Sequence, residues 1–290
     1  MRPGSAIATL LLTALLGAVP RPSNAAQDQY FTTSDGVRLH YLRAGAGPGR
    51  HRLVLVPGWT MPAWIFERQI ADLSRRYDVV ALDPRGQGDS EAPASGYEPG
   101  RRGRDIGELI ARLGPEPVVL LGWSLGVLDA LAYVHATGDG ALAGLVLVDN
   151  SVGEEPAPTP TPGPRGRPGR PVPRDVRMRA FVRGMFQRQQ PPEYLERLTE
   201  ASLRTPPAAA AALLAYPVPR TYWRDALYTV NRPVLYLVRP QFAGQAGNVT
   251  IHDPLAETRV ITGVGHALFV DDAAGFNAIV QDFLARRVWR

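Results

Sequence analysis

The first half of the chain alternates between short apolar runs and amphipathic segments. The apolar runs predict four buried strands, at residues 53–56, 79–82, 118–121 and 145–148. The segments between them predict three helices, at residues 61–76, 102–113 and 125–136. Strands that have no polar face and alternate with helices are typical of a parallel sheet covered by helices on both sides.

The alternation breaks after residue 150. Residues 154–174 are rich in proline, glycine and arginine, a composition that cannot form a packed core and that predicts an extended connector. Residues 175–228 have a mostly helical pattern and predict an inserted helical cap. The cap contains large side chains that could line a substrate pocket or simply pack together: Phe181, Met185, Phe186, Tyr216, Tyr222 and Trp223.

Further elements are predicted on either side of these regions. Residues 35–47 alternate apolar and polar positions before glycine-rich turns and predict an early hairpin. After the cap, residues 234–238 and 259–261 predict two more strands, and residues 273–286 predict a final helix.

The N-terminus has the features of a secretory signal. Arg2 gives a short positive start, and residues 7–19 form an apolar run too short to span a bilayer comfortably. Ala25 and Ala26 are small residues suited to cleavage. We expect an exported protein, periplasmic or secreted, without stable membrane insertion after cleavage; the alternative is an uncleaved N-terminal anchor. The predicted division has four parts: a signal peptide at residues 1–25, a first core segment at 26–150, the connector and cap at 151–230, and a second core segment at 231–290.

Composition narrows the possible functions. The net charge of +5 comes from arginine alone, because the chain has no lysine. These arginines are scattered and do not form a basic stripe interleaved with aromatic residues, so no nucleic-acid partner is expected. The absence of cysteine excludes disulfides, thiolate catalysis and cysteine-ligated metals. No histidine pair has helical metal spacing, so no metal is expected.

The sequence Gly-Trp-Ser-Leu-Gly stands between the third predicted strand and the third predicted helix. The pattern Gly-x-Ser-x-Gly is typical of a nucleophile elbow, a sharp turn that presents the serine at the top of a sheet. Gly122 and Gly126 would leave room for the neighbouring strand and helix, and the helix N-terminus would favour developing negative charge. This context favours Ser124 as a catalytic nucleophile over a serine in an ordinary tight turn.

Among the five histidines, His266 is the candidate for the general base. It follows a predicted strand near the chain end, in a loop shaped by Gly263 and Gly265. A base above the carboxyl edge of the sheet could reach the elbow and take the serine proton. The remaining histidines are interpreted as surface or packing residues: His40, His51, His135 and His252.

The negative oxygen that develops during acyl transfer needs two N–H donors. One is expected from the backbone of Leu125, directly after the serine, and the other from the loop after the first buried strand. Gly58 would let that loop pass close to the site, so the backbone amide of Trp59 is the expected second donor. The Trp59 side chain could form a pocket wall as well.

Four sequences, VLVPGWT, ALDPRGQGDS, GWSLG and GVGHALF, occur in the order and spacing of the α/β-hydrolase superfamily. Within it, the chain resembles the branch of serine esterases and cofactor-free haloperoxidases or perhydrolases, in which a Gly-Trp oxyanion loop is common. The resemblance covers about residues 30–150 and 231–290 and leaves the cap unmatched. It implies an α/β-hydrolase fold, a Ser–acid–His triad, no cofactor, and hydrolysis through an acyl-enzyme. The histidine that usually precedes the oxyanion glycine is Pro57 here.

The acid of the triad departs from the usual pattern. In most relatives it follows the strand after the cap, but the sequence there, RPQFAGQAGNVTIH, has no Asp or Glu. Some relatives place the acid one strand earlier, and that position is Asp149 here. Asp149 is therefore the expected acid, and it keeps the chain order Ser, Asp, His. Asp253, a dyad without an acid, and an acid from elsewhere are the alternatives.

The expected reaction is hydrolysis of a carboxylic ester or similar small acyl substrate. A serine nucleophile argues against epoxide hydrolases and haloalkane dehalogenases of this fold, which need a carboxylate at that position. Two alternatives remain open. One is perhydrolysis, in which peroxide replaces water on the same acyl-enzyme, and the other is a noncatalytic binding protein that kept the fold.

Overall fold

The structure is a computed structural model that describes residues 25–157 and 172–290. Apart from Ala25, the predicted signal peptide lies outside the described residues, and so does most of the proline-rich connector, at residues 158–171. Within the two described ranges, no helix has the length and apolar character needed to cross a membrane.

One sheet of eight strands forms the centre of the described chain. The strands are β1 (Gln27–Thr32), β2 (Arg38–Ala44), β3 (Arg52–Val56), β4 (Asp78–Leu82), β5 (Val118–Trp123), β6 (Leu142–Val148), β7 (Val234–Val238) and β8 (Ala256–Val260). Their spatial order is β1-β2-β4-β3-β5-β6-β7-β8. β2 pairs antiparallel with both β1 and β4, and every other pairing is parallel. The predicted mostly parallel sheet is therefore confirmed, with an antiparallel flank at one edge.

Helices cover both faces of the sheet, as predicted. They are α1 (Glu67–Leu73), α2 (Pro99–Leu113), α3 (Leu125–Thr137), α4 (Arg174–Gly184), α5 (Pro192–Arg204), α6 (Pro207–Leu213), α7 (Thr221–Leu227), α8 (Ala243–His252), α9 (Leu268–Asp271) and α10 (Ala273–Phe283). Successive strand residues point to opposite faces. Val54 accordingly packs in one apolar cluster with Leu109 of α2, and Leu55 packs in another with Ile70 of α1.

The helices α4 to α7 lie between β6 and β7, in the segment predicted as a cap. Pro192 and Pro207 stand at the first positions of α5 and α6, where a proline's fixed φ suits the helix and its missing N–H costs nothing. The cap contacts the second core segment directly, because the backbone N–H of Ala267 donates to the Met185 carbonyl oxygen at 3.0 Å. This contact places the cap against the loop that carries His266.

Two elements after the cap differ from prediction. The strand predicted at 259–261 is wrong in its limits, because β8 runs from Ala256 to Val260. β8 is an edge strand whose residues are half-buried or exposed, so apolar positions do not mark where it begins. The helix α8 is absent from the prediction, since its sequence AGQAGNVTIH has no continuous apolar stripe.

Two elements near the start also differ. The single helix predicted at 61–76 is a 3₁₀ turn, Ala63–Phe66, followed by the shorter α1. The predicted hairpin exists, but residues 35–47 contain only its second strand, β2, and its first strand, β1, lies upstream. Four of the six residues of β1 are exposed, so its sequence lacks the apolar run that marks a buried strand.

Candidate active site

Ser124 lies at the sharp turn between β5 and α3. Its backbone has φ 55° and ψ −121°, a strained combination for a residue with a side chain. A Cβ on Gly122 would lie 2.1 Å from the Gly126 carbonyl oxygen, and a Cβ on Gly126 would lie 2.3 Å from the Val56 carbonyl oxygen. Both positions therefore require glycine, as the elbow pattern predicts, and Ser124 is partly exposed at the turn.

A series of hydrogen bonds joins Ser124, His266 and Asp149. His266 Nε2 is 2.8 Å from Ser124 Oγ, and His266 Nδ1 is 2.7 Å from Asp149 Oδ2. A carboxylate only accepts hydrogen bonds, so Nδ1 carries the imidazole proton and Nε2 is left to accept from the serine hydroxyl. In this arrangement the imidazole can take the serine proton as the oxygen attacks. The structure thus brings together the three residues that the sequence proposes for catalysis.

The loop that carries His266 is held from several sides. The indole Nε1 of Trp123 donates to the His266 carbonyl oxygen at 2.9 Å. The Asp271 carboxylate accepts from the backbone N–H of Gly265 at 2.7 Å. A Cβ on Gly265 would lie 2.4 Å from the Met185 carbonyl oxygen, so the cap can approach this closely only because the residue is glycine. These contacts fix the imidazole relative to the elbow.

Asp149 lies just beyond β6, with a left-handed backbone φ of 51° and a fully buried side chain. Arg239, just beyond β7, donates to it twice: backbone N–H to Oδ1 at 2.9 Å and Nε to Oδ2 at 2.6 Å. Burial raises the pKa of Asp149, but the hydrogen bond and charge of His266, with the contribution of Arg239, hold that pKa below its ordinary value of 3.8. The carboxylate is therefore charged at neutral pH and can stabilise an imidazolium.

The alternative acid, Asp253, is engaged in its own turn. It follows α8, and its carboxylate accepts a hydrogen bond from the Leu255 backbone N–H at 2.8 Å. Burial raises the pKa of Asp253 above its ordinary value, whereas the hydrogen-bonding and charged partners of Asp149 give that residue a lowered pKa. The other four histidines have partners away from Ser124: His40 with Asp83 and Asp28, His51 with Trp289, His135 with Tyr222, and His252 with Tyr228.

The two expected oxyanion donors belong to segments that adjoin the serine. Leu125 is the first residue of α3, so its amide has no acceptor within that helix. A Cβ on Gly58 would lie 2.9 Å from Ser124 Cβ and 3.3 Å from Ser124 Oγ. Residues 57–60, here called the Gly-Trp loop, therefore pass directly against the nucleophile. The Trp59 amide belongs to this loop.

The Gln87 side chain forms hydrogen bonds with the backbone of the Gly-Trp loop, and the sequence did not predict this contact. Its Oε1 accepts from the Thr60 backbone N–H at 2.5 Å, and its Nε2 donates to the Gly58 carbonyl oxygen at 3.2 Å. Thr60 has a left-handed φ of 59°, so the side chain of Gln87 stabilises an unusual backbone conformation. Gln87 belongs to the sequence ALDPRGQGDS, which carries part of the family resemblance. The sequence does not show which backbone groups the side-chain amide of Gln87 contacts.

An apolar cleft of about 350 Å³ opens beside Trp59. The indole Nε1 of Trp59 donates to the Ala210 carbonyl oxygen at 2.7 Å, and its ring packs edge-on against Phe181. The cleft is lined by Trp59, Arg174, Arg177, Met178, Phe181, Pro207, Ala210, Ala211 and Leu214. Of the cap side chains considered as pocket walls, Phe181 lines this cleft, whereas Tyr222 and Trp223 pack against the main core.

His40, Asp83 and Asp89 form a cluster of possible metal ligands, whose ligand atoms lie within 4.8 Å of one another. Partners within the protein already engage these groups, and the Asp89 carboxylate pairs with Arg204 at 3.0 Å. His40 Nδ1 is 2.6 Å from Asp83 Oδ2, and His40 Nε2 is 3.0 Å from Asp28 Oδ1. Asp83 also accepts from the backbone N–H groups of Ala63 and Asp89. Each member of the cluster therefore has a partner within the protein.

Comparison with known proteins agrees with this architecture. Residues 53–279 match the family model described as "Alpha/beta hydrolase family". Among curated relatives, a soluble epoxide hydrolase from Corynebacterium sp. (strain C12) is 36% identical over 105 residues, which cover 36% of each chain. An N-formylmaleamate deformylase from Pseudomonas putida is 37% identical over 139 residues, which cover 48% of each chain.

A solved structure extends the similarity across the fold. The esterase RhEst1 from Rhodococcus sp. ECU1013 superposes with a TM-score of 0.73 and 26% identity, covering 90% of this chain and 99% of that one. The sequence matches to the two curated relatives, by contrast, span less than half of either relative's length.

Proposed function

The chain belongs to the alpha/beta hydrolase family. We propose that it is a serine hydrolase that cleaves a carboxylic ester or related acyl substrate through an acyl-enzyme. The main support is the geometry of Ser124, His266 and Asp149, with 2.8 Å between Ser124 and His266 and 2.7 Å between His266 and Asp149. A nucleophile, a base in hydrogen-bonding reach and a group that orients the base are the parts that acyl transfer needs.

In the first half of the reaction, Ser124 Oγ bonds to the acyl carbon while its proton passes to His266 Nε2. The carbonyl oxygen becomes an oxyanion, for which the backbone amides of Trp59 and Leu125 are the proposed donors. Asp149 stabilises the imidazolium, which then gives its proton to the leaving alcohol as the carbon–oxygen bond breaks. The product of this half is an acyl group on Ser124.

In the second half, water replaces the alcohol. His266 takes a proton from the water, whose oxygen attacks the acyl carbon, and then returns a proton to Ser124 as the acid leaves. The same donors stabilise the second oxyanion. Because the same base acts twice, one hydrogen-bonded arrangement is sufficient for both halves.

The apolar cleft supports a substrate with an apolar group. It adjoins Trp59, one residue from Gly58, which lies against Ser124. Apolar surface removed from water contributes about 25 cal/mol per Å² to binding, before the costs of association. We infer that the apolar part of the substrate lies in this cleft, between α4 and α6.

A panel of p-nitrophenyl esters of increasing acyl length, assayed with the full chain, tests the proposal. We expect turnover by the wild type and a loss of about 10⁴-fold or more in Ser124→Ala. Ser95→Ala, which removes an exposed serine, is the matched control and should keep wild-type activity. Equal ester turnover by Ser124→Ala and the wild type would contradict the proposed nucleophile.

A further inference from the structure

Arg239 is the residue nearest to the proposed acid that has no assigned role. It follows directly after β7, the neighbour of β6 in the sheet. Its backbone N–H and its Nε each donate to a different oxygen of Asp149, at 2.9 and 2.6 Å. Both oxygens of a fully buried carboxylate therefore accept hydrogen bonds from one residue, which lies just beyond the adjacent strand.

The same residue also borders the base. Arg239 Nη2 is 3.5 Å from His266 Nδ1, and Arg239 Nε shares Asp149 Oδ2 with that imidazole nitrogen. The guanidinium side chain is only about a quarter exposed. An arginine is charged at any pH at which such an enzyme works. A permanent positive charge thus lies beside the imidazole that must accept a proton.

We propose that Arg239 is a positioning residue: it orients Asp149 so that Oδ2 faces His266, and its charge disfavours the protonated imidazole. The proposal rests on the proposed function for its consequence in catalysis. The backbone donor at Oδ1 and the side-chain donor at Oδ2 together prevent rotation of the carboxylate. The positive guanidinium lies 3.5 Å from the same ring nitrogen, so it opposes the stabilisation that Asp149 gives to the imidazolium.

The position of Arg239 in the chain explains why it pairs with Asp149. It lies just beyond β7, where the sequence resemblance places the acid of most relatives, and the proposed acid, Asp149, lies just beyond β6 instead. A carboxylate buried at the end of β6 needs a compensating partner, because an isolated buried charge is costly. The end of β7 supplies that partner from the adjacent strand.

Other charged and titratable groups around His266 must be considered with Arg239. Tyr236 of β7 faces Asp149, and burial raises the pKa of its phenol, so it stays neutral. Asp271 accepts from Gly265 beside the imidazole, and Arg188, between α4 and α5, donates to the Asp271 carbonyl oxygen. In the described part of the chain, the charged groups in contact with the imidazole are Asp149 and Arg239.

The test is a titration of the His266 imidazole by NMR in the full-length protein, with the resonance assigned by its loss in His266→Gln. We expect Arg239→Gln to raise the His266 pKa by about half to one unit, because a nearby positive charge is removed. Arg239→Lys keeps the charge and should titrate like the wild type. Arg232→Gln removes an equally charged, exposed side chain at the opposite end of β7 and should leave the pKa unchanged.

Ester hydrolysis as a function of pH provides the second readout. The acid limb of kcat/KM should move to higher pH in Arg239→Gln, and kcat should fall roughly tenfold from lost orientation of the base. If circular dichroism shows that Arg239→Gln does not fold, we expect the same changes in pKa and kcat for Arg239→Met. An unchanged His266 pKa in these neutral variants would overturn the proposal.

The two proposals fail in different experiments. The NMR titration needs no turnover, so it reports on Arg239 even if no ester is hydrolysed. Active-site labelling of Ser124 with an unchanged His266 pKa in Arg239→Gln would refute the role of Arg239 and leave the serine hydrolase intact. A shifted pKa without labelling would support the electrostatic effect of Arg239 and count against the hydrolase.

Discussion

Asp149 is fully buried and yet charged at neutral pH, which is unusual for a carboxylate. Three N–H donors make this possible: His266 Nδ1, the Arg239 backbone and Arg239 Nε. Each donor stabilises the charged form, so the pKa of Asp149 lies below its ordinary value in spite of burial. An asparagine at this position would have only one acceptor oxygen for the same three N–H donors.

Replacement of Asp149 tests whether this carboxylate orients and stabilises the His266 imidazole. Asp149→Asn should lower kcat by about 10⁴-fold, because the amide cannot hold the productive imidazole tautomer or stabilise its charged form. Circular dichroism should show a retained fold. Asp253→Asn, at the alternative position, should keep kcat within about twofold, as expected away from the reacting groups. If Asp253→Asn lost activity while Asp149→Asn kept a near-normal kcat, Asp253 would be the acid instead of Asp149.

Local sequence is enough to single out Ser124 and His266, because each lies in a short motif bounded by a strand. The contacts of Asp149 are not predictable in the same way. They depend on β6 and β7 being neighbours, so that residues 90 positions apart in the chain share one carboxylate. The support of Thr60 by Gln87 is non-local as well, over 27 positions. Such pairings become visible only when the strand order is known.

At the scale of elements, the Gly-Trp loop connects the core to the cap. Its Trp59 indole donates to Ala210 of α6, and Thr60 Oγ1 lies 2.5 Å from Ser202 Oγ of α5. Gly58, in the same loop, lies against Ser124. The position of the Trp59 amide therefore depends on packing from both sides of the site.

Substitution of Gly58 should disturb this element without unfolding the protein. In Gly58→Ala the new methyl group would meet Ser124 Cβ at 2.9 Å, so the loop must move and the Trp59 amide with it. We expect kcat to fall by about 100-fold, the usual cost of one oxyanion donor. Gly247→Ala, in open space on α8, is the matched control and should keep full activity. Wild-type kcat in Gly58→Ala would exclude the loop as an oxyanion donor.

Elements differ in how well the sequence predicts them. The strand β7 matches its predicted range because all five residues are apolar and buried. The edge strand β8 and the helix α8 are mispredicted or missed, since neither carries a clear apolar pattern. Burial on both faces makes a strand easy to recognise, and exposure removes that signal.

At the scale of the whole molecule, His40 ties the antiparallel flank to the rest of the sheet. It is a buried residue of β2, and its ring bonds to Asp28 of β1 and to Asp83, just beyond β4. Burial lowers the pKa of His40, but the hydrogen bond and charge of Asp83, the hydrogen bond of Asp28 and the charge of Asp89 outweigh it and raise that pKa above 6.5. The protonated form is thus favoured in the folded state.

This linkage predicts a pH-dependent contribution to stability. Because the folded pKa of His40 is raised, the stabilisation is fully present below pH 6.5 and is lost as pH rises through the folded value. Replacing His40 with Gln should lower the free energy of unfolding by about 1–3 kcal/mol at low pH, and by less at high pH. Urea unfolding at pH 6 and pH 9 measures the difference, with His51→Gln as control. An effect of His40→Gln that is equal at both pH values would contradict this linkage.

Covalent labelling shows whether Ser124 is the nucleophile that carries the acyl group during turnover. The full-length protein is treated with a fluorophosphonate, digested, and mapped by mass spectrometry. We expect one phosphonyl adduct on the peptide containing Ser124, none in Ser124→Ala, and slow labelling in His266→Gln, where the base is lost. Full labelling of a folded Ser124→Ala variant, or no adduct on the wild type, would exclude Ser124 as the nucleophile.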